Sequence, residues 1–347
     1  MNDVVPEKGT LDYGAWNVLH NGLKLQDGES VVLVTDASTE ELGGALYRQA
    51  ESLTGKVPQR YAMEQFGQRP LKSLPSELEA ALQGVDVTLY ASGNQAGELA
   101  FRRPFIAAAM RSGARHGHAP GIDNRIMLTG MQSDIPASNQ RCTELYERLS
   151  PVRWARVTTP AGTDITLEFS DKVNWINSGW DFSKRGEWHN IPSGETFTWP
   201  ANANGVYVVD GVLGDHFDQK YGSLRESPVK YTVKGNHIVD ITCVGNKTLE
   251  AEIRKYVFET HNGDILGELG VGALDVPDLI GRMLQDEKAL GTVHIAHGST
   301  YSERTGAPDY GQPTHCDGVM RQASLETNRE FVLKDGIYQP PARITIN

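Results

Sequence analysis

The sequence predicts an α+β protein: an N-terminal α/β domain with a mostly parallel sheet over residues 1–150, then a β-rich domain over residues 151–347. In the first part, apolar strand-like runs alternate with helical segments, the pattern of a parallel sheet covered by helices. In the second part, apolar residues recur at every second position between turn residues, which is typical of antiparallel hairpins. A chain of 347 residues, 39% of them hydrophobic, is long enough for one or two such domains.

The N-terminal domain begins with a buried-strand pattern at Ser30–Asp36. Ser38 is expected to cap the following helix, with Glu41 completing a capping box. The next segments predict a helix, a strand and a second helix that Pro104 should interrupt: "LPSELEAALQG", "VDVTLYASG" and "ELAFRRPFIAAAMRSGA". This alternation continues to about residue 150, where the domain should end.

The β-rich domain contains three segments that predict hairpins, because each alternates apolar and polar residues around a short turn. They are "ARVTTPAGTDITLEFSD" around Pro-Ala-Gly, "VKYTVKGNHIVDITCVG" turning at Gly235-Asn236, and "REFVLKDGIYQ" turning at Asp335-Gly336. One segment of this domain, "VPDLIGRMLQDEKAL", has helical spacing instead.

The composition limits the partners and the compartment. A net charge of -11 argues against nucleic acid and anionic membranes as partners. The cysteines Cys142, Cys243 and Cys316 are too scattered for a disulfide framework, and "MNDVVPEKGT" has no signal-peptide pattern. With no stretch apolar enough to span a bilayer, we expect a cytoplasmic protein.

Metal-capable side chains are concentrated between Gly291 and Met320, in "GTVHIAHGSTYSERTGAPDYGQPTHCDGVM". His315 and Asp317 are two residues apart, so a strand would project both to one face, where they can bind one ion together. Cys316 would then point to the opposite face, which argues against a thiol nucleophile beside His315. Alone, this pattern also fits a polar surface loop. His294 and His297 lie three residues apart in the same stretch.

Three upstream glutamates extend this set. Glu195 and Glu268 lie in apolar surroundings, where a carboxylate must be paired, protonated or bound to metal, and Glu287 follows a helical pattern. If all the carboxylates converge, they would balance two divalent cations and favour a two-metal hydrolytic site. If only one does, a single iron held by two histidines and one carboxylate is the alternative.

Other catalytic patterns are weaker. The sequence has no G-x-S-x-G elbow, no Walker A motif and no G-x-G-x-x-G spacing. His116 and His118, in "ARHGHAPGID", form another candidate metal pair, although a loop at the site entrance or at a subunit contact is the preferred interpretation.

The segments "NIPSGETFTWP", "GELGVG", "DEKALGTVHIAHGSTY" and "THCDG" resemble the signature segments of the thermophilic metallo-aminopeptidases, the group of aminopeptidases T and S. The resemblance is strongest over about residues 150–347. It implies that Glu268 bridges two metal ions and that Tyr301 lies close to them. The metal ligands that it implies are Glu195, Glu268, Glu287, His294, His315 and Asp317.

This resemblance implies a dinuclear hydrolase, leucyl aminopeptidase-like, that cleaves N-terminal residues from peptides or a related small amide through a metal-bridging water. Glu268 and Tyr301 would be catalytic, and the ions would be zinc, cobalt or manganese. The family also implies a homo-oligomer, a dimer or larger. The chain is shorter than typical members, and His297 stands at a position that is usually apolar in them.

A second branch of the same fold includes a dihydroxypyridine dioxygenase and is closer in length. It implies a mononuclear non-haem iron ring-cleaving dioxygenase, with one Fe(II) held by His294, His315 and Asp317. That branch lacks the first glutamate, so the presence of Glu195 favours the hydrolase. A metal-binding fold without catalysis is a third, non-enzyme interpretation.

Overall fold

The structure is a computed structural model that describes residues 5–341. These residues form two compact units: one runs to Asn139 and includes Trp180–Ser193 and Asp275–Pro277, and the other holds the rest. The predicted domain boundary at residue 150 stays a prediction. None of the helices in residues 5–341 has the length and apolar character that crossing a bilayer requires. The first four residues of "MNDVVPEKGT" lie outside the described range.

The first unit contains a parallel five-stranded sheet, with strand order β2-β1-β3-β4-β8 when strands are numbered along the chain. Its strands are β1 (Val31–Thr35), β2 (Gln59–Ala62), β3 (Val87–Ser92), β4 (Arg115–Pro120) and β8 (Trp188–Asn190). Every residue of β1 and β3 is buried, as expected for strands covered on both faces. The predicted parallel sheet is confirmed.

The helices of this unit follow the predicted alternation. They are α1 (Leu11–Asn17), α2 (Glu40–Thr54), α3 (Ser76–Ala81), α4 (Leu99–Arg111), α5 (Asn124–Met127) and the start of α6 (Ile135–Leu149). Helix α4 continues through Pro104. The predicted cap at Ser38 is wrong: the Asp36 side chain accepts a hydrogen bond from the Thr39 N–H and starts a 3-10 turn that leads into α2.

The second unit contains an antiparallel eight-stranded sheet, in the order β12-β11-β10-β6-β5-β16-β17-β18. Its strands are β5 (Trp154–Thr158), β6 (Asp164–Glu168), β10 (Asn202–Val209), β11 (Val229–Lys234), β12 (His237–Cys243), β16 (Ser324–Thr327), β17 (Phe331–Lys334) and β18 (Ile337–Tyr338). All three predicted hairpins are present. Burial alternates along β6 and β11, so one face of this sheet packs on the core.

A five-stranded antiparallel sheet, in the order β15-β14-β13-β9-β7, completes this unit. Its strands are β7 (Ile176–Ser178), β9 (Glu195–Thr198), β13 (Leu266–Gly272), β14 (Val293–Gly298) and β15 (His315–Met320). All residues of β9, β13 and β14 are buried. Polar side chains on these strands must therefore find partners inside the protein.

The remaining α-helices are α7 (Asp218–Tyr221), α8 (Lys247–Phe258), α9 (Met283–Asp286) and α10 (Ser302–Thr305), of which only α8 is longer than one turn. The helix predicted over "VPDLIGRMLQDEKAL" is wrong apart from α9. The Asp286 carboxylate accepts hydrogen bonds from the backbone N–H groups of Ile280, Gly281 and Arg282, which fixes the preceding residues as a loop. Mixed α/β architecture, with one parallel sheet and large antiparallel sheets, is confirmed.

Candidate metal centre

Five of the predicted ligands project from one face of the five-stranded antiparallel sheet. Glu195 lies on β9, Glu268 on β13, His294 on β14, and His315 and Asp317 on β15. The antiparallel register brings them together, because alternate residues of each strand point to this face. The exposed fractions of Glu195, Glu268, His294 and Asp317 lie between 0% and 9%, and His315 is partly buried.

A glycine makes room for one of the imidazoles. Gly270 pairs with His294 across β13 and β14. A Cβ atom at Gly270 would lie 1.9 Å from His294 Nε2, closer than any real contact. The ring of His294 therefore rests over the bare backbone of β13, and this explains the second glycine of "GELG".

The carboxylates and imidazoles form two groups that share Glu268. His294 Nε2 lies 3.0 Å from Glu268 and 3.4 Å from Glu195. His315 Nε2 lies 3.2 Å from Asp317 and 3.6 Å from Glu268. In each group, Glu195–Glu268–His294 and Glu268–His315–Asp317, one candidate ligand atom per residue lies within 4.8 Å of the others.

The His315 ring is oriented for coordination. Its Nδ1 lies 2.9 Å from the Ser299 carbonyl oxygen, which can only accept, so Nδ1 donates and Nε2 faces the carboxylates. Such an outer hydrogen bond fixes the tautomer of metal-binding histidines. The donor set of imidazole nitrogens and carboxylate oxygens suits a transition metal such as iron. The residues present therefore fit a metal ion.

The charges of the site explain the shifted protonation equilibria. Burial alone would lower the pKa of His294, yet the Glu268 and Glu195 carboxylates raise that pKa to about 9. Burial likewise disfavours the charged ring of His315, but Asp317 raises its pKa to about 10. Burial raises the pKa of Glu268, against the opposing effect of the two histidines. The cluster is therefore an anionic pocket that favours cations.

Glu287 is paired with a lysine that also lies near Glu195. Its carboxylate forms an ion pair with Lys288. Burial raises the pKa of Glu287, and the neighbouring ammonium group of Lys288 opposes that rise and favours the charged carboxylate. It belongs to neither of the two groups described above, so its role as a ligand stays a prediction. Lys288, which is fully buried, was missed by the sequence analysis. Its position directly before the apolar "ALGTV" is the signal that could have indicated burial.

Tyr301 lies beside His315, and its catalytic role stays a prediction. Its ring centroid is 4.5 Å from that of His315 and 6.0 Å from that of Phe197. Burial raises the pKa of the Tyr301 hydroxyl well above its usual value, so this group stays a hydrogen-bond donor. The residue adopts a left-handed conformation (φ 47°, ψ 48°), which is uncommon outside glycine and often marks functional sites.

His297 and Cys316 point to the other face of the sheet. They face each other across β14 and β15. His297 Nδ1 donates to the Gly263 carbonyl oxygen at 2.9 Å, and burial lowers the pKa of this histidine to about 4. Cys316 packs in the hydrophobic core. The predicted separation of Cys316 from His315 is therefore present.

The interpretation of His116 and His118 as loop residues is wrong, because both lie in β4 and are buried. His116 lies between the Thr88 hydroxyl, 2.8 Å from Nδ1, and His118. Burial lowers the pKa of His116 to about 3. The ring of His118 stacks on Tyr90, with the centroids 4.9 Å apart. No carboxylate takes part in these contacts.

Known proteins share this architecture. The sequence model of the NicX family, described as 2,5-dihydroxypyridine 5,6-dioxygenase, matches residues 17–339. A 2,5-dihydroxypyridine dioxygenase from Pseudomonas putida KT2440 has a similar structure, with a TM-score of 0.69 at 17% identity over 97% of this chain and 99% of that chain. AmpT from Thermus thermophilus is also similar, with a TM-score of 0.66 at 15% identity over 95% and 99%. No curated protein sequence matches.

Proposed function

The chain belongs to the 2,5-dihydroxypyridine 5,6-dioxygenase family, and from this premise we propose that it is a mononuclear non-haem iron dioxygenase that cleaves a hydroxylated N-heterocycle. The observation that carries the proposal is the placement of His294, His315 and Asp317 on one face of adjacent strands. Two imidazoles and one carboxylate are the protein ligands typical of non-haem Fe(II) oxygenases.

The predicted aminopeptidase is wrong, since the family match over residues 17–339 assigns the chain to dioxygenases. The predictions of a hydrolase and a metalloprotease are wrong for the same reason. The resemblance to aminopeptidase T holds at the level of the fold, as the similarity to the Thermus thermophilus structure shows. The prediction of an enzyme is confirmed by the family.

Iron would be held by His294, His315 and Asp317. Bound Fe(II) supplies the electron-transfer chemistry that allows dioxygen to react with an aromatic ring. The hydrogen bond from His315 Nδ1 to the Ser299 carbonyl oxygen leaves Nε2 as the nitrogen that would bind the metal. Gly270 leaves the space that the His294 ring occupies. Both features hold the imidazoles in place before any ion binds.

Two further side chains would act on the substrate. Glu268 lies between the two imidazoles, with its carboxylate oxygens 3.0 Å from His294 and 3.6 Å from His315, so a carboxylate is placed where it can accept a proton. We propose that Glu268 accepts the proton that a substrate hydroxyl loses on binding. The Tyr301 hydroxyl, protonated at neutral pH, would donate a hydrogen bond to a substrate oxygen. Burial of the site excludes water from the reacting groups.

Oxygen consumption tests this function directly. The full-length protein is loaded anaerobically with Fe(II) and mixed with 2,5-dihydroxypyridine in an oxygen-electrode cell. We expect one O₂ consumed per molecule of substrate and loss of the pyridine absorbance. Asp317→Asn should abolish the uptake, while Asp335→Asn, the same change at an exposed hairpin turn, should not. No uptake above that of the iron-free protein, with any hydroxypyridine tested, would overturn the proposal.

A further inference from the structure

Lys288 is a buried cation next to the candidate metal centre. Its side chain is 0% exposed, and its Nζ forms ion pairs with Glu287 Oε1 and, at 3.7 Å, with Glu195 Oε1. Burying an ammonium group is strongly unfavourable unless anions surround it. The two carboxylates supply that compensation, so the three residues form an internal ion cluster.

The backbone holds Lys288 in a fixed position. Its N–H donates to the Gln285 carbonyl at 3.0 Å, and its carbonyl accepts a hydrogen bond from the Leu274 N–H at 2.7 Å. The Leu290 N–H in turn donates to the Leu274 carbonyl at 2.8 Å. A Cβ at Gly272 would lie 2.6 Å from the Lys288 carbonyl oxygen, so this glycine allows the close approach. The ammonium group is therefore presented from a rigid segment.

Glu195 connects this ion cluster to the metal centre. One of its oxygens, Oε1, faces Lys288, while the other, Oε2, lies 3.4 Å from His294 Nε2. A second divalent ion bound by Glu195 would have to lie close to the ammonium group. Like charges a few ångströms apart repel strongly in a buried site.

We propose that the Lys288 ammonium is a built-in counter-cation for Glu195 and Glu287, and that it limits the centre to one divalent ion. Without it, Glu287 would lose its ion-pair partner and Glu195 would keep only His294, and a second ion would compensate the two carboxylates. Lys288 acts through the two carboxylates that it contacts, so it is a positioning residue. The inference rests on the proposed function only for the identity of the ion as iron. The number of ions bound per chain does not depend on that function.

The number of ions per chain tests this role. Metal-stripped full-length protein is dialysed to equilibrium against Mn(II), and the bound metal is measured by elemental analysis. We expect one ion per chain in the wild type and two in Lys288→Met, which removes the charge at similar length. Lys288→Arg should restore one ion. The double variant Glu287→Gln/Lys288→Met removes one charge of each sign and should also bind one.

Two ions in the wild type would overturn the inference, as would one ion in folded Lys288→Met. Circular dichroism reports whether each variant folds. Should Lys288→Met not fold, Lys288→Gln gives the same test, because its amide can still hydrogen-bond to the carboxylates. Failure of the proposed function has a different signature: wild-type protein with Fe(II) would not consume oxygen, whatever its ion count.

Discussion

Strands β4 and β15 each place two metal-capable side chains two residues apart, but in opposite electrostatic surroundings. On β4, His116 contacts the Thr88 hydroxyl and His118, and burial lowers its pKa to about 3. On β15, His315 contacts the Asp317 carboxylate, which raises its pKa to about 10 despite burial. The spacing of such side chains thus says little about metal binding, whereas nearby carboxylates decide whether a buried histidine favours a positive charge.

The largest difference between the strands should appear in metal binding. His315→Ala should reduce iron affinity by more than the roughly 10–100-fold that loss of an outer partner costs, and reduce oxygen uptake to background. His118→Phe, which preserves a ring against Tyr90, should leave the iron content per chain unchanged. Elemental analysis after anaerobic loading measures both. Loss of iron from His118→Phe would contradict the conclusion that β15 binds the metal and β4 does not.

A smaller effect is expected from Gly270→Ala. The new methyl group would collide with the His294 ring, 1.9 Å from Nε2, and push the imidazole out of position. We expect iron affinity to fall about 10–100-fold, the range seen when the groups that orient a ligand are lost. Competition with a chelator measures this affinity.

Gly44→Ala is the matched control for this change, since a Cβ there would meet only the Arg48 side chain at 3.4 Å. Because Gly44 lies within α2, the alanine should stabilise the fold by up to about 1 kcal/mol and leave iron affinity unaltered. Equal losses in the two variants would rule out the steric explanation.

The smallest effect concerns acid stability of the β4 pair. Because burial lowers the pKa of His116 from 6.5 to about 3, the unfolded chain takes up protons first as the pH falls below about 6.5. Folding stability should therefore decrease by about 1–2 kcal/mol between pH 7 and pH 5 through this residue. His116→Gln should reduce that decrease. Urea unfolding at both pH values measures the free energy of unfolding. If that free energy fell by the same amount between pH 7 and pH 5 in His116→Gln as in the wild type, the role given to His116 would be contradicted.

Local patterns predicted much of the fold and part of the site. The turns at Gly235-Asn236 and Asp335-Gly336 follow from glycine and asparagine chemistry over a few residues. The common face of His315 and Asp317 follows from strand alternation alone. These predictions need only the sequence within one strand or hairpin.

Other features depend on contacts that local patterns do not contain. The segment "STEE" fits a capping box at Ser38. In the structure, however, the Thr39 N–H donates to Asp36, two residues before Ser38, and the turn therefore begins there. Asp286 turns an apparently helical segment into a loop by binding three backbone N–H groups. The contact of Lys288 with Glu195 joins residues far apart in the chain and depends on strand register. The sequence alone could not reveal that Glu195 lies between Lys288 and His294.

The most direct test is a crystal structure of the protein loaded with Fe(II), with anomalous diffraction recorded at the iron absorption edge. We predict a single iron peak per chain, bonded to His294 Nε2, His315 Nε2 and an Asp317 oxygen. Two peaks flanking Glu268, or one peak held by Glu195 and Glu268 without Asp317, would contradict the account.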